Sequence, residues 1–73
     1  MILRDCLETI VVPSRTTIEV IDNTNSKIGY VKLYTSSSLD MFFERVKQYL
    51  DNEVYTVVII PRENCLKITI YLI

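Results

Sequence analysis

The 73-residue sequence has no histidine, no tryptophan and no alanine, and Gly29 is its only glycine. Without histidine, the commonest general base and the commonest metal ligand are both missing. A single glycine cannot build a phosphate-cradling loop of the G-x-G-x-x-G or Walker type. Cys6 and Cys65 are the only cysteines, too few for a four-ligand zinc site or for the disulfide framework of a small secreted fold. They read as reduced thiols packed as small hydrophobes, and neither a metal nor a cofactor is expected. Apolar runs such as Val57–Ile60 fall far short of the ~20 residues that span a bilayer. Met1-Ile2-Leu3-Arg4-Asp5 lacks the basic opening and sustained apolar stretch of a signal peptide. A cytoplasmic location with no membrane partner is therefore the expectation.

What is present points to a folded chain. Apolar residues make up 49% of the sequence and charged residues 23%, a balance that disfavours intrinsic disorder. The length accommodates one domain, residues 1–73, and no second. Net charge is -1 and the pI is near 5.2, which argues against an electrostatic footprint for nucleic acid. Ile and Tyr are plentiful while Gly, Ala and Pro are scarce. The favoured residues have AT-rich codons, a bias that suits a phage, a mobile element or a low-GC bacterium.

One helix stands out. Ser37-Ser38-Leu39-Asp40 has the S-x-x-[DE] form of a helix start, with Ser37 as N-cap. Leu39, Phe42, Phe43, Val46, Tyr49 and Leu50 then recur at three- and four-residue spacing, predicting an amphipathic helix from Ser38 to Asp51. Phe43, in mid-stripe, is expected to be its most buried ring. Elsewhere Ile, Val and Thr dominate, which favours strands. Val54–Ile60 and Cys65–Leu72 read as a hairpin around Pro61-Arg62-Glu63-Asn64, with Ile60 opposite Cys65. In that register Tyr55, Val57, Ile59, Leu66, Ile68 and Ile70 face the core, and Val54, Val58, Lys67 and Tyr71 face away. Thr17–Asp22 and Lys27–Tyr34 form a second hairpin, with Asp22 opposite Lys27 and with Ile18, Val20, Val31 and Leu33 on the core face. Near the N-terminus, Ile2, Leu3, Cys6, Leu7 and Ile10 fit a short helix, whereas Leu7–Val12 fits a strand ended by Pro13. The preferred reading is a strand near Glu8–Val12 after a helical turn. The expected fold is α+β in the order β-β-β-α-β-β, a mainly antiparallel sheet of four to five strands with one helix on one face.

The functional expectation comes from the other face. A helix about 10 Å across covers about two strands at ~4.8 Å spacing. The uncovered side carries Tyr30, Lys32, Tyr34, Lys67 and Tyr71 among Ile21, Ile28, Val54 and Val58, too much apolar surface to leave wet without purpose. Either the N-terminal segment folds across it, or another chain does. The reading is a non-enzymatic protein-interaction module that docks through this face or an edge strand. Its partner would be a second copy or another protein, and its role that of a phage-type inhibitor or regulator. The alternative is a binder of single-stranded nucleic acid, with tyrosines under bases and lysines near phosphates. An enzyme is not expected: Asp5, Glu8, Asp40, Glu44, Asp51, Glu53 and Glu63 form no tuned pair, and Cys65 lacks a histidine partner.

Overall fold

Six segments of regular structure and one short 3₁₀ turn make up the computed structural model, which describes residues 1–9, 16–32 and 39–73. In chain order they are α1 (Leu3–Thr9), β1 (Thr16–Ile21), β2 (Lys27–Lys32), α2 (Leu39–Val46), the 3₁₀ turn Lys47–Tyr49, β3 (Val54–Pro61) and β4 (Leu66–Leu72). The four strands form one sheet in the order β2-β1-β4-β3. Each hairpin is antiparallel, but the two hairpins meet along a parallel β1–β4 pairing at the centre. The α+β class stands. The expected element order and single helix give way to α-β-β-α-β-β with two helices and a mixed sheet.

The N-terminal strand is the first correction. Glu8 and Thr9 belong to α1, and the remainder of the expected strand, Ile10–Val12, lies outside the described residues. Helix wins because Leu3 and Cys6 are thereby both buried and Leu7 packs beside them. The first N–H groups of a helix lack intrahelical acceptors. Here Leu3 N–H donates to the Asn52 carbonyl and Arg4 N–H to the Leu50 carbonyl, both at 2.9 Å. Leu3 and Cys6 join one core with Ile18, Val20, Val31, Phe42, Val46, Ile68, Ile70 and Leu72. The described N-terminal residues thus contribute to the helix-covered core. Burial raises the Cys6 thiol, against a smaller opposing effect of the terminal ammonium.

The second helix is shorter and turned differently from the expectation. The α-helix ends at Val46 and tightens into the 3₁₀ turn, closed by Asn52 N–H to the Tyr49 carbonyl at 3.0 Å. Ser37 and Ser38 lie outside the described residues. Phe42 is 2% exposed and Phe43 42% exposed, so the ring in the core is Phe42, paired with Val46 one turn on. The two rings meet edge to face, with centroids 5.6 Å apart. Phe42 and Val46, four residues apart on one side of α2, point into the core, and Phe43 sits at the margin.

The hairpin faces survive although the registers do not. Ile60 pairs with Lys67, and Pro61 with Leu66, not Ile60 with Cys65. The slip is two residues, and an even slip leaves every side chain on its face. A bulge between Val54 and Thr56 does reverse two residues. Val54 packs against the core, and Tyr55 is 74% exposed, opposite to expectation. In the first hairpin Ile18 pairs with Val31, Glu19 with Tyr30 and Val20 with Gly29, as expected. A bulge between Val20 and Ile21 then sets Ile21, not Asp22, opposite Lys27. Asp22 instead caps the turn: its Oδ1 accepts from Thr24 N–H at 2.9 Å, Thr24 Oγ1 at 2.7 Å and Ser26 N–H at 3.0 Å. The left-handed residue there is Asn25, φ 69°, a residue type that tolerates it. Leu33 and Tyr34 lie outside the described residues.

Candidate functional site

The face away from the helices is organised around a carboxylate. Glu19, on central strand β1, is buried with Tyr30 beside it on β2 and Thr69 beside it on β4. Thr69 pairs in turn with Val58 on β3. Thr69 Oγ1 donates to Glu19 Oε1 at 2.9 Å, Lys67 Nζ lies 3.2 Å from Oε1, and Lys27 Nζ lies 3.1 Å from Oε2. Lys27 also sits 5.0 Å from the centre of the Tyr30 ring, within cation–π range. Burial by itself would raise the Glu19 carboxyl. The hydrogen bonds from Lys27, Thr69 and Lys67 and the Lys27 charge outweigh it, and the group is held below its ordinary value.

A depressed carboxylate pKa stabilises the fold above the unfolded-state value and loses that contribution as pH falls toward the folded-state value. Asp22, lowered by its bonds from Thr24 and Ser26, acts in the same direction. Stability is therefore expected to fall below about pH 4. Glu19→Gln should cost about 1 kcal/mol at neutral pH and flatten that acid limb. Urea titrations of both proteins between acid and neutral pH check this; an equally steep acid limb in the variant would assign it to other groups.

The residues predicted to form the site are partly brought together. Tyr30 is exposed, and Lys32, Lys67 and Tyr71 are half-buried on this face, while Tyr34 lies outside the described residues. Tyr30 and Tyr71 stand on β2 and β4 with β1 between them, about 10 Å apart in strand spacing. Lys67 and Lys27 are both engaged with Glu19, so the centre of the face is a cluster in which two lysines share one carboxylate. Val54 leaves the face altogether.

The more apolar surface is the β3 edge. Helix α2 packs against β2 at the far edge of the sheet, and Tyr55, Val57, Val58 and Ile59 are all exposed, Ile59 at 60%. Val57 and Ile59 point to the helix side and Val58 to the opposite side, so β3 is wet on both faces. None of its residues, Val54-Tyr55-Thr56-Val57-Val58-Ile59-Ile60-Pro61, carries a charge. Natural edge strands are usually blunted by charge, brevity or cover; here Pro61 and the bulge near Tyr55 serve, and the start of the strand is covered by the N-terminal residues, with Ile2 bridging Glu53 and Val54 N–H donating to the Met1 carbonyl at 2.8 Å.

The direction of the free backbone groups follows from the hairpin. Arg62 N–H donates to the Cys65 carbonyl at 2.7 Å, which makes Arg62–Cys65 a hydrogen-bonded pair. Such pairs alternate along an antiparallel ladder. Ile60–Lys67 and Val58–Thr69 are then hydrogen-bonded, and Ile59–Ile68 and Val57–Ile70 are not. The N–H and C=O of Val57 and Ile59 therefore point away from β4. Pro61 falls in the same outward set, where a missing N–H costs the sheet nothing. Sequence reasoning missed this edge as the specific site because it assigned Val57 and Ile59 to the core. The available signal was an eight-residue uncharged stretch beside a hairpin turn.

Beyond these surfaces, a shallow cleft of about 350 Å³ lies against Arg4, Leu7, Glu8, Phe43 and Leu50. Among the described residues, no cluster of three or more His, Cys, Asp or Glu side chains could hold a metal, and no helix is long and apolar enough to cross a membrane. Comparison with protein-family models, curated proteins and solved structures finds no match.

Proposed function

We propose that the chain is a non-enzymatic protein-interaction module that works in the cytoplasm by adding a partner's strand to the β3 edge. Its role would be that of a phage-type or mobile-element-type inhibitor or regulator. The observation that carries the reading is β3 itself, an uncharged edge strand with apolar side chains exposed on both faces. Strand addition takes affinity from main-chain bonds and specificity from alternate side chains. Burying one Val or Ile side chain contributes about 1.5–3 kcal/mol, so Val57, Val58 and Ile59 supply a useful driving force.

The nucleic-acid alternative uses Tyr30, Lys32, Lys67 and Tyr71. The ion pairs of Lys27 and Lys67 with Glu19 weaken it, because the shared carboxylate offsets one of the two positive charges that would otherwise meet a phosphate backbone. Affinity capture with the wild type, Ile59→Lys and Tyr30→Glu separates the two readings. Loss of the captured protein in Ile59→Lys and its retention in Tyr30→Glu are the expected results. Oligothymidylate binding that collapses with added salt and is lost in Tyr30→Glu would establish the alternative.

A further inference from the structure

We infer that residues 1–9 form a releasable strap, which opens from the sheet as one unit while the four strands and α2 stay folded. Closed, the strap covers the start of β3; open, it lengthens the docking edge. The regulatory half of this inference rests on the reading of β3 as that edge.

The attachment of the strap is confined to one place. A helix of seven residues is too short to persist in water on its own, so α1 exists by docking. The strap's backbone bonds to the rest of the described chain all reach residues 50–54. Leu3 N–H donates to the Asn52 carbonyl, Arg4 N–H to the Leu50 carbonyl, and Val54 N–H to the Met1 carbonyl. The Arg4–Asp51 ion pair, at 2.8 Å, joins the same stretch between two exposed side chains and adds little. Among the described residues, the strap places only Leu3 and Cys6 in the buried core.

What remains is held together without it. The four strands pair with one another, and β2 and β3 are opposite edges. Ile18 lies beside Ile68 and Val20 beside Ile70 across the central strands. Phe42 and Val46 of α2 rest on Gly29 of β2, at the edge away from the strap. Release therefore costs a local set of contacts, far fewer than unfolding the sheet.

The strap and a docked strand need the same backbone group. The Glu53 carbonyl accepts from Ile73 N–H at 3.0 Å, on the β4 side. Successive residues of a strand alternate sides, so Val54 N–H and C=O point outward, in one row with Val57 and Ile59 across the bulge. The Met1 carbonyl occupies that N–H, and Ile2 bridges Glu53 in antiparallel sense. A partner's strand that follows the edge past the bulge must displace the strap. Docking and release then favour each other reciprocally.

Release is tested with Cys6, which is buried while the strap is closed, in the full chain with Cys65→Ser. An aromatic disulfide reagent should label Cys6 more than about tenfold faster than global unfolding permits, at a rate that changes little with low urea. Gly29→Ala should lower the urea midpoint and leave that rate unchanged. Hydrogen exchange should free the Leu3, Arg4 and Val54 amides together with Cys6, and the Ile18 and Ile70 amides only on global unfolding. Labelling that tracks global unfolding in both proteins, or a Val54 amide as protected as Ile70, overturns the strap. Competition is read with Ile2→Cys and Glu53→Cys combined, in a background of Cys6→Ser and Cys65→Ser. These positions form a non-hydrogen-bonded antiparallel pair, with Cα atoms about 4.5 Å apart, within the range a disulfide spans. The oxidised, locked form should retain less of the protein captured by the wild type than its reduced form does. Equal retention, with Ile59→Lys still losing that protein, overturns the gating and leaves the docking edge standing. Retention by Ile59→Lys overturns the docking edge and the gating with it, while Cys6 labelling still decides release.

Discussion

Phe42→Ala is expected to lower the unfolding free energy by about 3–5 kcal/mol, and Phe43→Ala by less than half of that. The reason lies in where α2 rests. Phe42 is the largest fully buried side chain among the described residues, wedged between α2 and the sheet, and its removal both forfeits transfer free energy and leaves a cavity. Phe43 keeps much of its ring in solvent at the cleft beside Leu7 and Leu50. A domain of this size has a total stability on the order of 4–11 kcal/mol, so the Phe42 variant should lose a large fraction of its stability and unfold at a much lower denaturant concentration. Denaturant melts of both variants decide it. Equal losses would mean that Phe43 swings inward to fill the void.

Gly29→Ala should destabilise by about 1–3 kcal/mol, although alanine ordinarily suits a strand no worse than glycine. A Cβ added at Gly29 would stand 2.5 Å from Val46 Cγ1 and 3.2 Å from Phe42 Cε1. The backbone of β2 is therefore the surface on which α2 sits, and glycine is required for that approach and not for its torsion angles, since its φ is not positive. A double-mutant cycle with Val46→Ala gives the diagnosis. Relief of the clash makes the double variant more stable than the two single losses predict. Simple additivity would show that the strain lies elsewhere.

Both expectations concern contacts that the sequence announces only in part. The spacing of Phe42 and Val46 marks an apolar stripe, yet a stripe six residues wide does not say which ring points down. That depends on which side of α2 lies on the sheet, where Phe42 and Val46 rest against Gly29 of β2. Gly29 reads as an ordinary strand residue until a helix is laid over it. The hairpins were legible because alternation and turn residues are local, and an error of two residues in register leaves the faces intact. The parallel β1–β4 joint was not legible. Nothing local distinguishes Thr16–Ile21 as the partner of Leu66–Leu72, and the choice is made by burying both strands at once. At the site, Tyr30, Lys32, Lys67 and Tyr71 do share one face, but the ion pairs of Lys27 and Lys67 with the one carboxylate at its centre follow no local pattern. The exposure of Val57 and Ile59 was hidden for a related reason: alternation predicts a face, not whether a helix reaches it.

The parallel joint also orders events in time. Glu19 on β1 and Thr69 on β4 are separated by 50 positions in the chain, so β1 is synthesised well before the strand that flanks it. During that interval the first hairpin has α2 above it but an open inner edge. β3 in turn emerges before β4, with both of its edges unpaired and no charge along it. Contacts this distant slow folding relative to helical domains of equal size, and unpaired strand edges are where nascent chains associate wrongly.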